Sequence, residues 1–102
     1  MNIALIGYGK MGKTIEKLAL ERGHTIETII DSSDFNIQEL DESDVAIEFT
    51  QPDAAVANIH KCFEANTPII VGTTGWYEHY TQLADLALKN NKGLFTATNF
   101  SV

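Results

Sequence analysis

The residues best suited to chemistry form a glycine-rich segment near the start of the chain, Gly7-Tyr8-Gly9-Lys10-Met11-Gly12. It follows the apolar residues 3–6 and opens a stretch with apolar residues at helical spacing. Gly7 permits a tight turn, Gly9 lets the backbone approach a phosphate, and Gly12 lets a helix pack close to the strand. The free amides and positive end of such a helix attract phosphates. The segment therefore predicts a pyrophosphate site, and a purely structural glycine turn is the alternative.

A second feature is the acid Asp31, which stands 19 residues beyond Gly12 at the end of a predicted strand. Dinucleotide-binding domains use an acid about 20 residues beyond the glycines to accept hydrogen bonds from the adenosine ribose. Residues 32–34 carry no positive charge, so a ribose 2′-phosphate would meet carboxylates here. We expect NADH to be the preferred cofactor, with NADPH also able to bind because Lys10 and Lys13 offset part of the repulsion. A surface-loop aspartate is the alternative.

The uneven distribution of charge supports an anion site beside the glycines. The chain has a formal net charge of −7 and seven basic residues. Four of the seven fall in one short stretch directly after the first glycines: Lys10, Lys13, Lys17 and Arg22. An acidic chain that gathers cations beside a glycine loop is expected to bind an anion there, and a solvated basic helix face is the alternative. The acidic total speaks against nucleic acid as a partner.

Other sequence features exclude whole classes of site. No apolar run reaches the roughly 20 residues that span a bilayer, and no signal-peptide pattern is present, so no membrane partner is expected. Cys62 is the single cysteine, which excludes an internal disulfide and is typical of the cytoplasm. His24, His60 and His79 lack metal-ligand spacing, so no metal is expected. Glu48, inside an apolar strand, is expected to be buried with a hydrogen-bond partner rather than catalytic.

Two polar segments follow the third and fourth predicted strands, at the edge where a cofactor would cross the sheet. They are Phe49-Thr50-Gln51-Pro52 and Gly72-Thr73-Thr74-Gly75-Trp76. A glycine allows close backbone approach, and threonine hydroxyls can bond a ribose or a carboxamide. We expect cofactor contacts from Phe49, Thr50, Gly72, Thr73 and Thr74. Thr74 is also a candidate helix N-cap.

The elements that must position these residues alternate along the chain. Strands are predicted over residues 3–6, 25–30, 45–49, 68–71 and 94–97. Helices are predicted from about residue 11 to Gly23, briefly over 36–40, after Pro52, and over 77–90. This alternation predicts one α/β domain over residues 1–102, a Rossmann-type doubly wound parallel sheet in three α/β/α layers. The glycine loop after the first strand favours the strand order 3-2-1-4-5, with the ligand at the carboxyl ends of the strands.

Four motifs in chain order carry a family resemblance. They are Gly9-Lys10-Met11-Gly12, Glu48-Phe49-Thr50-Gln51-Pro52, Gly72-Thr73-Thr74-Gly75-Trp76 and Asn99-Phe100-Ser101-Val102. Together they make the whole chain resemble dihydrodipicolinate reductase, a family of lysine and diaminopimelate biosynthesis. Two departures are small, since Glu48 stands where that family usually has Asp and the glycine loop is slightly shorter than in some members.

The resemblance implies a cytoplasmic reductase that transfers a hydride from NAD(P)H to the cyclic dicarboxylate 4-hydroxy-tetrahydrodipicolinate. By position, the loop from Gly7 to Gly12 would hold the pyrophosphate and Asp31 the adenosine ribose. Thr50, Gly72 and Thr74 would lie near the nicotinamide. The residues implied at the hinge beside it are Thr98, Asn99 and Phe100.

The resemblance also implies a missing partner. The substrate domain of that family carries a His-His segment and a Lys-x-Asp-Ala-Pro-Ser-Gly-Thr segment, and neither occurs in these 102 residues. The chain would then be the cofactor half of a two-domain enzyme, without a catalytic residue, able to bind dinucleotide and unable to turn over. An exposed apolar sheet edge, open to dimer formation, is expected. The alternatives are a free-standing nucleotide-sensing Rossmann module and, less favoured by the motifs, the cofactor domain of another dehydrogenase.

Overall fold

The computed structural model describes residues 1–31 and 34–96. Its main elements are β1 (Asn2–Ile6), α1 (Lys10–Glu21), β2 (Thr25–Ile30), β3 (Val45–Glu48), α2 (Pro52–Glu64), β4 (Ile69–Val71), α3 (Tyr80–Lys89) and β5 (Leu94–Thr96). Two 3₁₀ turns, Ile37–Leu40 and Tyr77–His79, precede β3 and α3. The predicted helix over 77–90 is therefore a 3₁₀ turn followed by α3.

The strands form one parallel sheet with the order β2-β1-β3-β4-β5. The chain winds from β1 toward one side and then, from β3 to β5, toward the other. This confirms the predicted fold class, a doubly wound, Rossmann-like α/β sheet. The detailed order 3-2-1-4-5 needs one correction, because the third strand lies between β1 and β4 and not outside β2.

The connection between β2 and β3 explains that correction. Phe35 and Leu40, which lie in this connection, are buried in the core cluster that includes α2 residues. Since α1 covers the opposite face, a right-handed crossover on the α2 face must run back past β1. The only helical element described in this connection is the short turn Ile37–Leu40, which provides no full crossover helix to cover a strand outside β2.

Helices cover both faces of the sheet, as the three-layer prediction requires. Ile3 and Leu5 of β1 pack in a cluster with Ala19 of α1. Ala4 and Ile6, which alternate with them, belong to a larger cluster that includes residues of α2 and α3. Because β1 is buried on both faces, its residues are apolar without alternation.

The described edge of the sheet at β5 carries an exposed aromatic side chain. Phe95 is 60% exposed, and its register partner Ile70 is itself paired with Ile47 on β3. Both isoleucines are partly buried and pack against the α1 cluster. Of the expected exposed apolar edge, the described residues show the exposed side chain of Phe95.

None of the described helices is long and apolar enough to cross a membrane.

Candidate functional site

A cavity of about 320 Å³ opens at the carboxyl ends of β1, β2 and β3. The chain leaves β1 for α1 on one face and leaves β3 for α2 on the other, so this is the switch point at which doubly wound sheets bind ligands. Six predicted contact residues line the cavity: Gly7, Tyr8, Gly9, Asp31, Phe49 and Thr50. Ile6, Ile30, Gln51, Ala54 and Asn58 complete the lining.

Gly7 and Gly12 are required by packing within the protein. Gly7 has a φ of +102°, and a Cβ there would lie 1.9 Å from the carbonyl oxygen of Phe49. Its amide donates to the carbonyl of Ile30 at 2.7 Å, which joins the ends of β1 and β2. A Cβ on Gly12 would lie 2.4 Å from the carbonyl oxygen of Gly7. The turn and close-packing roles predicted for these two glycines are confirmed.

Gly9 differs from both, because a Cβ there would have no atom within 4 Å among the described residues, its own chain neighbours aside. Gly9 has an extended conformation, occupies the N-cap of α1 and provides no side-chain cap. The first turn of α1 also carries no acidic residue. Open space and uncapped amides therefore coincide at the cavity wall, which is the arrangement that an anionic group can use.

Tyr8 is held over the start of α1 by two contacts. Its hydroxyl donates to Glu16 Oε1 at 2.5 Å, and the Nζ of Lys13 lies 5.5 Å from its ring centroid. The hydrogen bond to Glu16 raises the pKa of Tyr8, with further contributions from burial and from the negative charge of Glu16. One cation of the predicted basic cluster is thus fixed beside the glycine loop.

Asp31 is exposed and lines the same cavity as Gly7 and Gly9. The structure therefore brings the predicted acid and the predicted glycine loop to one site, although 19 residues separate Asp31 from Gly12 in the sequence.

Phe49 connects the two polar segments. A Cβ on Gly72 would lie 2.1 Å from the Phe49 ring, so Gly72 makes room for that ring at the end of β4. Gly72, Thr73 and Thr74 do not line the cavity, and neither do Lys10, Met11 and Gly12. Thr74 is exposed and does not cap the following turn, whose N-cap is Trp76. The predicted contacts Thr98, Asn99 and Phe100 lie outside the described residues.

A buried polar network joins these segments. The carboxylate of Glu48 is fully buried and accepts hydrogen bonds from the hydroxyls of Thr50 and Thr73. It also accepts one from Nδ2 of Asn58, at 3.0 Å. The expectation that Glu48 is buried with a partner is confirmed. We refer to these four residues as the Glu48 network.

Asn58 is a polar residue of the cavity that was not predicted from the sequence. It is fully buried on α2 and lines the cavity. One signal could have found it, because Asn58 stands at helical spacing among the buried residues Ala55, Ile59 and Cys62. A polar residue on an apolar stripe needs a partner inside the protein.

The remaining candidate ligands are dispersed. The described residues contain no group of three or more His, Cys, Asp or Glu side chains that could hold a metal ion. Cys62 is buried, and burial together with the negative charge of Glu48 raises the pKa of its thiol to about 12. Its packing role as a small buried residue is confirmed.

The doubly wound parallel sheet and the glycine loop at its switch point define a Rossmann-like α/β domain. The chain belongs to the dihydrodipicolinate reductase family, since the family model described as dihydrodipicolinate reductase, N-terminus, matches residues 1–100. This confirms the resemblance carried by the four motifs. Membership of a reductase family implies a nicotinamide dinucleotide cofactor.

Curated relatives agree with this assignment, and each is named 4-hydroxy-tetrahydrodipicolinate reductase. One from Christiangramia forsetii is 43% identical over 106 residues, covering 100% of this chain and 43% of the relative. One from Staphylococcus epidermidis is 34% identical over 110 residues, covering 99% of this chain and 45% of the relative. One from Staphylococcus aureus is 32% identical over 106 residues, covering 95% of this chain and 43% of the relative. The chain thus spans less than half the length of these relatives.

Proposed function

We propose that residues 1–102 are the cofactor-binding part of a 4-hydroxy-tetrahydrodipicolinate reductase, a cytoplasmic oxidoreductase of lysine and diaminopimelate biosynthesis. The observation that carries the proposal is the open space at Gly9, beside uncapped helix amides at the switch point of the sheet. Among residues 1–31 and 34–96, no packing contact requires a glycine there. A ligand that approaches the backbone closely does.

The glycine loop and Asp31 hold the adenosine half of the cofactor. The pyrophosphate lies against the amides at the start of α1, where the positive end of the helix dipole and the nearby Lys10 and Lys13 stabilise its charge. The carboxylate of Asp31 accepts hydrogen bonds from the adenosine ribose. The same carboxylate repels a 2′-phosphate, so NADH binds more tightly than NADPH.

The segments after β3 and β4 hold the nicotinamide half. Phe49 and Thr50 form the cavity wall on that side, and Gly72, Thr73 and Thr74 lie one strand further along the sheet. We propose that Thr98, Asn99 and Phe100 also contact this half of the cofactor, as the family resemblance implies. When bound, the cofactor supplies a hydride to the cyclic dicarboxylate. The residues of this chain bind and orient the nicotinamide.

Turnover needs a second group of residues to hold the hydride acceptor against the nicotinamide, because positioning supplies much of the rate. We propose that the remaining part of the reductase provides it and that the 102 residues alone do not turn over.

The exposed Phe95 at the β5 edge provides a surface through which two copies of the isolated 102 residues can dimerise. Sedimentation of the isolated chain and of its Phe95→Ser variant tests the dimer, since loss of association in the variant is expected.

Calorimetric titration of the chain with NADH tests the binding proposal. A saturable heat signal is expected. If neither calorimetry nor a parallel fluorescence titration shows a change at millimolar NADH, the binding proposal is contradicted. A steady-state reductase assay on the same 102 residues should give no turnover, and measurable product would contradict the need for a further part.

A further inference from the structure

We propose that Glu48 is a positioning residue for the cofactor site, which holds the segment after β3 against the segment after β4 so that Thr50 stays in the cavity wall. The proposal deepens the proposed function and rests on it. It assigns a role in binding to a carboxylate that lies beneath the cavity and does not line it.

The Glu48 network connects three separate parts of the chain. Glu48 is the last residue of β3, Thr50 lies in the connection to α2, Asn58 lies on α2, and Thr73 lies after β4. Thr73 makes a further link, because its Oγ1 accepts a hydrogen bond from the amide of Thr50 at 2.7 Å. Thr50 is therefore tied to this network through both its backbone and its side chain.

The segment after β4 is anchored in turn by Trp76. This side chain is buried, and its indole Nε1 donates to the carbonyl of Thr73 at 2.8 Å. The hydroxyl of Thr73 thus donates to Glu48, and the carbonyl of Thr73 accepts a hydrogen bond from Trp76. The Glu48 network consequently joins Thr50 to the segment after β4, which the buried Trp76 anchors.

The network also fixes the orientation of Thr50. Its hydroxyl donates to Glu48, and its methyl carbon Cγ2 lies 3.1 Å from the position that a Cβ on Gly7 would occupy. The methyl group therefore faces the glycine loop. The threonine hydroxyls expected to bond a ribose or carboxamide donate inward in both Thr50 and Thr73.

Stability alone does not account for a carboxylate at this position. Burying a carboxylate carries a large desolvation penalty, and an apolar side chain of similar volume is often as stable or more stable. Asn58 adds a second cost, because its Nδ2 donates to Glu48 while its buried Oδ1 has no hydrogen-bond partner among the described residues. Both costs are explained if the geometry of the cavity wall requires this acceptor.

The test compares NADH with ADP, which lacks the nicotinamide half, as calorimetric ligands of the full chain. Glu48→Gln keeps the side-chain volume but replaces one acceptor oxygen by a donor that faces other donors. We expect the Kd for NADH to rise about tenfold and the Kd for ADP to stay within about twofold of the wild-type value. Thr73→Val, which removes one hydroxyl at constant volume, should change the ratio of the two constants in the same direction. It keeps the test valid if Glu48→Gln does not fold.

Leu83→Ala is the matched control, because Leu83 is a buried residue of α3 outside the cavity. It should lower the thermal midpoint and leave both dissociation constants unchanged. A proportional weakening of NADH and ADP binding in Glu48→Gln or Thr73→Val would indicate a structural role and overturn the proposal. If both variants bind NADH with the Kd of the wild-type chain, the proposal for Glu48 is also overturned, and the proposed function stands. A wild-type chain that does not bind NADH overturns both.

Discussion

Gly7 lies so close to the backbone of Phe49 that a Cβ on Gly7 would be 1.9 Å from the Phe49 carbonyl oxygen. The turn after β1 and the turn after β3 therefore touch where the chain leaves the sheet toward opposite faces. The Phe49 ring fills the space left by Gly72. Phe49 thus lies between two glycines, and the cavity is bounded by turns that pack directly on one another.

This contact predicts that Gly7→Ala is strongly destabilising. The substitution adds a Cβ where the backbone of Phe49 already lies and imposes a side chain on a residue with a φ of +102°. We expect the free energy of unfolding to fall by more than about 3 kcal/mol, measured by thermal or urea unfolding followed by circular dichroism. A midpoint within a few degrees of wild type would show that the two turns can separate at low cost.

Gly9 and Gly23 form a matched pair for separating binding from stability. In the part of the chain that the structure describes, a Cβ on either glycine would lie within 4 Å of no residue other than its chain neighbours. Gly23 has a φ of +83°, whereas Gly9 is extended. Gly9→Ala should leave the thermal midpoint unchanged or slightly raised and weaken NADH about tenfold or more. Gly23→Ala should cost about 1 kcal/mol of stability and leave NADH binding unchanged. If Gly9→Ala binds NADH like wild type, the pyrophosphate does not approach that backbone.

Asp31 predicts the cofactor preference. Asp31→Ala should weaken NADH about tenfold, because the ribose hydroxyls lose a charged acceptor, and should weaken NADPH less or strengthen it. The measurement is the ratio of the two dissociation constants from fluorescence titration. Asp85→Ala is the control, since it removes the same charge from an exposed position on α3 outside the cavity. An unchanged ratio in Asp31→Ala would contradict the proposed contact between Asp31 and the adenosine ribose.

The raised pKa of the Cys62 thiol predicts that the protein loses stability at alkaline pH. Burial and the charge of Glu48 raise the pKa of the thiol from its ordinary value of 9.0 to about 12 in the folded protein. Below pH 9 the thiol is protonated in both states, so its contribution to stability is fully present. Between pH 9 and 12 only the unfolded state releases the proton. The free energy of unfolding therefore falls by up to about 1.4 kcal/mol for each pH unit.

The measurement for Cys62 is urea unfolding over this pH range in the wild-type protein and in Cys62→Ala. The variant lacks the titrating thiol, so the difference between the two slopes isolates it from the tyrosines and lysines. The native thiol should also resist alkylation at pH 8 and react after denaturation. Parallel pH slopes in the two proteins would contradict the assigned pKa.

Much of the site could be predicted because its signals are local. The glycine spacing, the polar segments after the strands and the acid at the end of β2 each occupy a few consecutive residues. The glycine loop and Asp31 were expected to meet, since parallel strands end at the same edge of a sheet. The position of β3 in the strand order could not be predicted from local signals, because the sequence of residues 31–44 does not indicate on which side of β1 the chain returns.

The Glu48 network was visible only in part. The sequence indicates that a glutamate within an apolar strand needs a partner, yet it does not identify Thr73, 25 residues away, or Asn58 on the following helix. Hydrogen-bond partners of a buried group are chosen by proximity after the elements pack.

By itself, the sequence determined the glycine loop, the alternation of strands and helices, the charge beside the loop and the family. These properties depend on backbone conformation and periodicity over short segments. Only the tertiary structure decided which glycines are required by internal contacts and which one is left open, and that the threonine hydroxyls face Glu48. The physical reason is steric, because whether a Cβ or a hydroxyl fits depends on atoms brought in from distant strands when the sheet assembles.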